Sequence, residues 1–349
     1  MVNPVSMAFR QGLIGLLAVL GTGGAQAGLQ QGLDAYYKGD YRAALNELKP
    51  SAESGDARAQ FQLGTLYFLG KGVNRDHRTA LDWFLKAAQQ GNAEAQSMLG
   101  DAYADGDGVE QDPAQALSWF RKAAEQGEKR AQYYLGYAYD NGTGVAQDNQ
   151  QAIEWYRKAA AQGHTKAQYN LGLMYYTAQG TARDLREALS LFRQAADRGD
   201  ADAQFNLGVM YDNGEGVAQD YRQALQWYRQ ADKEGRNVHA QYSLGEMYAV
   251  GRGVLRDPGE AVRWYAKAAE QGYAKAQYNL GKAYQQGLGV PVDASKAYKW
   301  LSRAAEAGDE RARAEMILLE QRKYAEKSKQ SEAKENVTAR KRKQRLRFR

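Results

Sequence analysis

Three histidines, His77, His164 and His239, are the only imidazoles in the 349 residues, and cysteine is absent. A zinc site takes three or four nitrogen, sulfur or carboxylate ligands held close together. No two of these histidines stand one helical turn apart, so they are expected to be solvated, His77 in a loop and the others ahead of helices. Without cysteine there is no thiolate nucleophile, no thiolate metal ligand and no disulfide framework. The G-x-G runs (GKG, GDG, GTG, GEG, GRG, GLG) have the composition of phosphate loops without their context. A dinucleotide fingerprint needs a preceding strand and a third glycine, and a P-loop needs G-K-[ST]. Asp105-Gly106-Asp107 and the DNG triplets at Asp140–Gly142 and Asp212–Gly214 begin like calcium loops. The closing glutamate of such a loop does not follow. G-x-S-x-G and H-E-x-x-H are also missing, and the expectation is a non-enzyme with no cofactor and no metal.

What recurs is a frame. The stretch KAQYNLG occurs at Lys166–Gly172 and again at Lys275–Gly281, and it belongs to a longer series. A Leu-Gly pair returns with its glycine at Gly64, Gly100, Gly136, Gly172, Gly208, Gly245 and Gly281, each preceded by Ala-Gln. The steps are 36 residues except one of 37, between Gly208 and Gly245. Self-similarity at this period marks a stacked repeat rather than a duplicated active site.

Each unit reads as two helices. Ala203, Leu207, Gly208 and Tyr211 lie on one face of a 3.6-residue helix, and so do Ala224, Trp227, Tyr228 and Ala231. Between the helices, G-x-G-V supplies glycine for a left-handed helix end. An aspartate precedes every second helix (Asp76, Asp112, Asp148, Asp184, Asp220, Asp257, Asp293), where a carboxylate accepts orphan backbone amides. All six tryptophans fall in one column, at Trp83, Trp119, Trp155, Trp227, Trp264 and Trp300, with Leu191 in the remaining unit. They are expected to form the core between helices.

The pattern A-x-A-Q-x-x-L-G-x-x-Y…G-x-G-V-x-x-D…A-x-x-W-[YF]-x-[KR]-A-A-x-x-G resembles the Sel-one-like repeat, a relative of the tetratricopeptide repeat. The resemblance implies an all-α, right-handed superhelical solenoid serving as a scaffold for protein complexes. Seven repeats are placed at 56–308, with an N-terminal capping half-repeat at 28–55 and a C-terminal capping helix at 309–327. Cysteine-rich members of the family are linked with β-lactam binding or hydrolysis, and this chain lacks those cysteines. In the tetratricopeptide relatives the residue before Leu-Gly points into a concave groove. Here the column includes Tyr134, Asn170, Asn206, Ser243 and Asn279, which are the expected contacts for a partner protein or peptide. One turn later the sequence varies freely through Thr65, Asp101, Tyr137, Leu173, Val209, Glu246 and Lys282.

Charge is unevenly placed. The chain carries +6, but Gln321–Arg349 alone holds twelve Lys/Arg against three Glu, so the rest is slightly acidic. The tail at 328–349 ends in Arg340, Lys341, Arg342, Lys343, Arg345, Arg347 and Arg349, a basic density suited to anionic lipid, lipopolysaccharide or another envelope polymer. Nucleic acid is the less expected partner, because residues 1–27 read as an export signal. Arg10, the apolar run Leu13–Leu20 and Ala25-Gln26-Ala27 form the three parts of such a signal. A cleaved, periplasmic protein with no lipid anchor is the resulting expectation.

Overall fold

The computed structural model describes residues 28–319 and 321, and every regular element among them is a helix. Residues 1–27, expected from the sequence to be an export signal, and residues 328–349, with their seven terminal Lys and Arg residues, lie outside the described residues. Helix α1 occupies 28–38 and α2 spans Tyr41–Glu53. Three helix hairpins follow, α3 and α4 (Ala57–Leu69, His77–Gln89), α5 and α6 (Ala93–Asp105, Pro113–Glu125) and α7 and α8 (Lys129–Asn141, Asn149–Ala161), and then the helices α9 (Thr165–Thr177) and α10 (Leu185–Asp197). Then come α11 and α12 (Ala201–Asn213, Tyr221–Ala231), α13 and α14 (Val238–Val250, Pro258–Glu270), and α15 and α16 (Ala274–Gln286, Ala294–Glu306). A last helix, α17, occupies 310–319. The fold is an all-α helical solenoid, divided into two compact units, Met1–Asp184 and Leu185–Arg349.

Local chemistry sets the hairpins. Asp76, Asp112, Asp148, Asp220, Asp257 and Asp293 each accept backbone amides of the helix they precede. Hydrogen bonds from Thr79, Gln115 and Lys296 hold the carboxyls of Asp76, Asp112 and Asp293 below the ordinary aspartate value. The same aspartates donate their own N–H back to the first helix, as Asp148 does to the Tyr139 carbonyl at 2.8 Å, which closes the turn. First helices end on a left-handed glycine, Gly142 at φ 70° for example. Ala178 adopts the same conformation at φ 60°, the single non-glycine among the described residues to do so. That costs roughly 1–2 kcal/mol relative to glycine's freedom.

The Leu-Gly glycine is where the two helices of a hairpin touch. A methyl group at Gly64, Gly100, Gly136, Gly208 or Gly245 would lie 2.5–2.8 Å from ring carbons of Phe84, Phe120, Tyr156, Tyr228 or Tyr265. These rings are buried, and each contributes on the order of 1.5–3 kcal/mol by leaving water. The tryptophan column is therefore not the centre of the core. Adjacent residues on a helix point about 100° apart, so only one of the Trp–aromatic pair can face the glycine. The tryptophans instead lean on the cluster of the preceding repeat, Trp155 against the one containing Ala116, Phe120 and Leu135. All but Trp227 are half-buried. Lysines one turn on cover several of their faces, with Lys158 and Lys267 at 3.8 and 3.7 Å from the Trp155 and Trp264 centroids.

The glutamine of Ala-Gln ties one hairpin to the next. Gln60, Gln96, Gln132, Gln168, Gln204 and Gln277 each donate to the alanine carbonyl eight residues earlier, at 3.0–3.2 Å. The side-chain carbonyls of three of them accept in turn, Gln60 from Gln90 at 2.8 Å, Gln96 from Gln126 at 2.7 Å and Gln132 from Gln162 at 2.9 Å. The 37-residue unit breaks this pattern. Helix α12 stops at Ala231, and Gln241 donates instead to the Asp232 carboxylate at 2.8 Å and to the Gly235 carbonyl at 3.1 Å. Asp232 also accepts the Asn237 amide, so a buried side chain replaces the carbonyl that the extra residue displaced.

Candidate partner-binding surface

The residue before each Leu-Gly faces the core ring of the preceding repeat. In the first unit Tyr134 of α7 stacks on Phe120 of α6, with centroids 4.7 Å apart. Asn170 of α9 donates its amide to the Tyr156 hydroxyl of α8 at 3.1 Å. That hydroxyl donates onward to Asp140 at 3.2 Å, whose other oxygen accepts from Gln179 at 2.9 Å. Burial raises both the Asp140 carboxyl and the Tyr156 phenol above their ordinary values. The DNG aspartate thus serves a buried polar chain inside the protein.

The second unit repeats the arrangement with other residues. Asn279 of α15 donates to Glu246 at 2.8 Å, and the Tyr265 hydroxyl donates to the same oxygen at 2.6 Å. The Tyr228 phenol, with Ser243 beside it, reaches Asp212 at 3.5 Å. Asn206 is half-buried on α11. The expected contact column is therefore brought to one helix face in each unit, and its polar members are already engaged with neighbouring repeats. One turn later Tyr137 is 44 % exposed, whereas Asp101 and Glu246 of the same column are engaged with neighbouring repeats.

The histidines sit differently from the expectation. His77 opens α4 and stacks on Phe68 at 4.8 Å, and His164 stacks on Tyr133 at 4.5 Å while its Nδ1 accepts the Ala167 amide as a helix cap. Burial lowers the His164 imidazole below its ordinary value. His239 lies inside α13 and is exposed. Hydrophobic stacking, which spacing alone does not reveal, takes two of the three out of full solvation. Among the described residues no cluster of three metal-ligating side chains occurs. No helix there is long and apolar enough to cross a membrane.

Asp101 was legible only as one member of a varying column. It forms an ion pair with Arg130, twenty-nine residues on and one repeat away. Burial nevertheless pushes its carboxyl up to about 6, against the pull of that guanidinium. Asp101 and Arg130 line a hollow of about 370 Å³ over α3, α5 and α7. In the second unit a smaller hollow of about 250 Å³ lies beside Asn279, Tyr278 and Lys282. A third, of about 580 Å³, opens beside the long turn at Lys233–Asn237.

The chain matches the family model described as Sel1 repeat seven times, at residues 57–92, 93–128, 129–164, 165–200, 201–232, 238–273 and 274–309. No curated protein matches it. Among solved structures it is similar to a protective antigen present in uropathogenic Escherichia coli strains, described as displaying an SLR fold. The two share 37 % identity over 88 % of this chain and 67 % of that one, with a TM-score of 0.78. It is also similar to a Sel1 repeat protein from Oxalobacter formigenes, at 35 % identity over 70 % of this chain and 96 % of that one, with a TM-score of 0.62.

Proposed function

This chain belongs to the Sel1 repeat family, and from that premise we propose that it is a non-enzymatic scaffold or regulator of the bacterial cell envelope, binding a partner protein along the outer faces of its first helices. Sel1 repeat proteins generally act as scaffolds for protein–protein interaction. The observation that carries the reading is the contrast between columns. Core positions recur almost unchanged, whereas the outer column changes chemistry at every repeat, from Asp101 to Tyr137 to Leu173 in one unit and from Val209 to Glu246 to Lys282 in the other. A solenoid keeps packing residues constant by geometry and differentiates its recognition face without unfolding. The sequence pattern at 1–27, with Arg10, the apolar run Leu13–Leu20 and Ala25-Gln26-Ala27, supports a periplasmic site of action.

A photo-crosslinking residue at Tyr137, expressed in the native envelope, should yield one discrete protein adduct. The same residue at Glu154, exposed on a second helix, should not. Identical or absent adducts from both positions would remove this reading. The basic tail supports a second contact, with anionic envelope lipid or polysaccharide. Deleting Ala339–Arg349 should abolish salt-sensitive binding to acidic vesicles, and undiminished binding by the shortened chain would exclude it.

A further inference from the structure

The hollow in the first unit has a floor and a rim of opposite character. Its floor is apolar, built from Phe61 and Phe68 of α3, Met98 of α5 and Tyr134 of α7. Its rim carries three carboxylates, Asp101, Asp105 and Asp107, against the single guanidinium of Arg130. Leu69, at the end of α3, is 40 % exposed beside it, so apolar surface continues out of the hollow. The first helices of three successive repeats contribute to it. At helix spacings of about 9–10 Å the groove crosses roughly 20 Å, the reach of about six residues of extended chain.

We infer that this groove docks a basic, extended segment of the partner, with an arginine or lysine seated among Asp101, Asp105 and Asp107 and an apolar neighbour lying on the aromatic floor. The argument is charge complementarity: an acidic rim attracts a cation and repels an acidic segment, which fixes partner choice more than raw affinity. A long cationic side chain also suits the site in shape. Its aliphatic stem can cover Phe61 and Met98 while its charged end stays at the wetter rim. Arg130 already answers Asp101 and the His77 Nδ1 lies 3.8 Å from Asp107, so Asp105, with Asp107 shared between that imidazole and the ligand, meets the incoming charge. The inference rests on the scaffold reading and gives it a partner chemistry.

The test uses the full-length protein and two labelled hexapeptides, one alternating arginine with leucine and one with glutamate in place of arginine. Fluorescence anisotropy should show saturable binding of the first and none of the second. The double variant Asp105→Asn/Asp107→Asn, which leaves the Asp101–Arg130 pair intact, should weaken binding about three- to tenfold, the size expected for two solvent-exposed ion pairs. Higher salt should weaken it further. The proposal is overturned if the arginine peptide fails to bind, if both peptides bind alike, or if the double variant binds as well as the parent. Should any of these occur while the Tyr137 adduct still forms, the groove assignment falls and the scaffold reading stands. Loss of the adduct as well removes both.

Discussion

Replacing Gly208 with alanine should lower the unfolding free energy by about 1–3 kcal/mol, the usual cost of forcing a methyl group into a packed core. Ordinarily this change in a helix stabilises, because glycine costs on the order of 1 kcal/mol relative to alanine. Here the added Cβ would sit 2.5 Å from two ring carbons of Tyr228, closer than carbon atoms can approach. The ring cannot swing away, since it is 2 % exposed and its hydroxyl reaches Asp212 at 3.5 Å. Relief requires α11 and α12 to separate, which strains the neighbouring interfaces of the stack. Thermal or urea unfolding of Gly208→Ala measures the effect. Unchanged stability would show that the glycine is dispensable for the close approach.

Asp232→Ala should also destabilise, by about 2–3 kcal/mol, although it restores the alanine found in the other units. The carboxylate accepts Gln241 and the Asn237 amide, both in a buried setting. Removing it leaves the Gln241 amide with a weakened set of partners, and unmade buried hydrogen bonds are costly. Combining Asp232→Ala with deletion of Arg236 returns the unit to 36 residues and should recover most of the loss. If Asp232→Ala alone is as stable as the parent, the backbone carbonyls of the turn are satisfying Gln241 by themselves.

These two residues also divide what could be read early from what could not. The tryptophan column is expected from the sequence to form the core between helices, but the ring that meets the Leu-Gly glycine is the phenylalanine or tyrosine beside it. Asp232 stood out as a departure from the pattern, yet nothing in the spacing revealed that its side chain would replace a carbonyl. The column holding Tyr134, Asn170, Asn206, Ser243 and Asn279 is expected from the sequence to meet a partner, whereas Tyr134, Asn170 and Asn279 are engaged with neighbouring repeats. Its hydrogen bonds to the preceding repeat depend on whether the ring there ends in a hydroxyl, as in Tyr156, or not, as in Phe120. The Asp101–Arg130 pair was hidden for a similar reason, since aspartate stands only once in its column and the arginine that recurs at Arg58 has no such partner column to signal it.

The amino-acid sequence alone determined the repeat length, the two helices of each unit, their caps and the family. All of these follow from chemistry within a few residues, copied seven times. Tertiary structure decided which side chains remain available to a partner. That depends on contacts between residues about thirty positions apart, where the ring, glycine or carboxylate of one repeat meets the next.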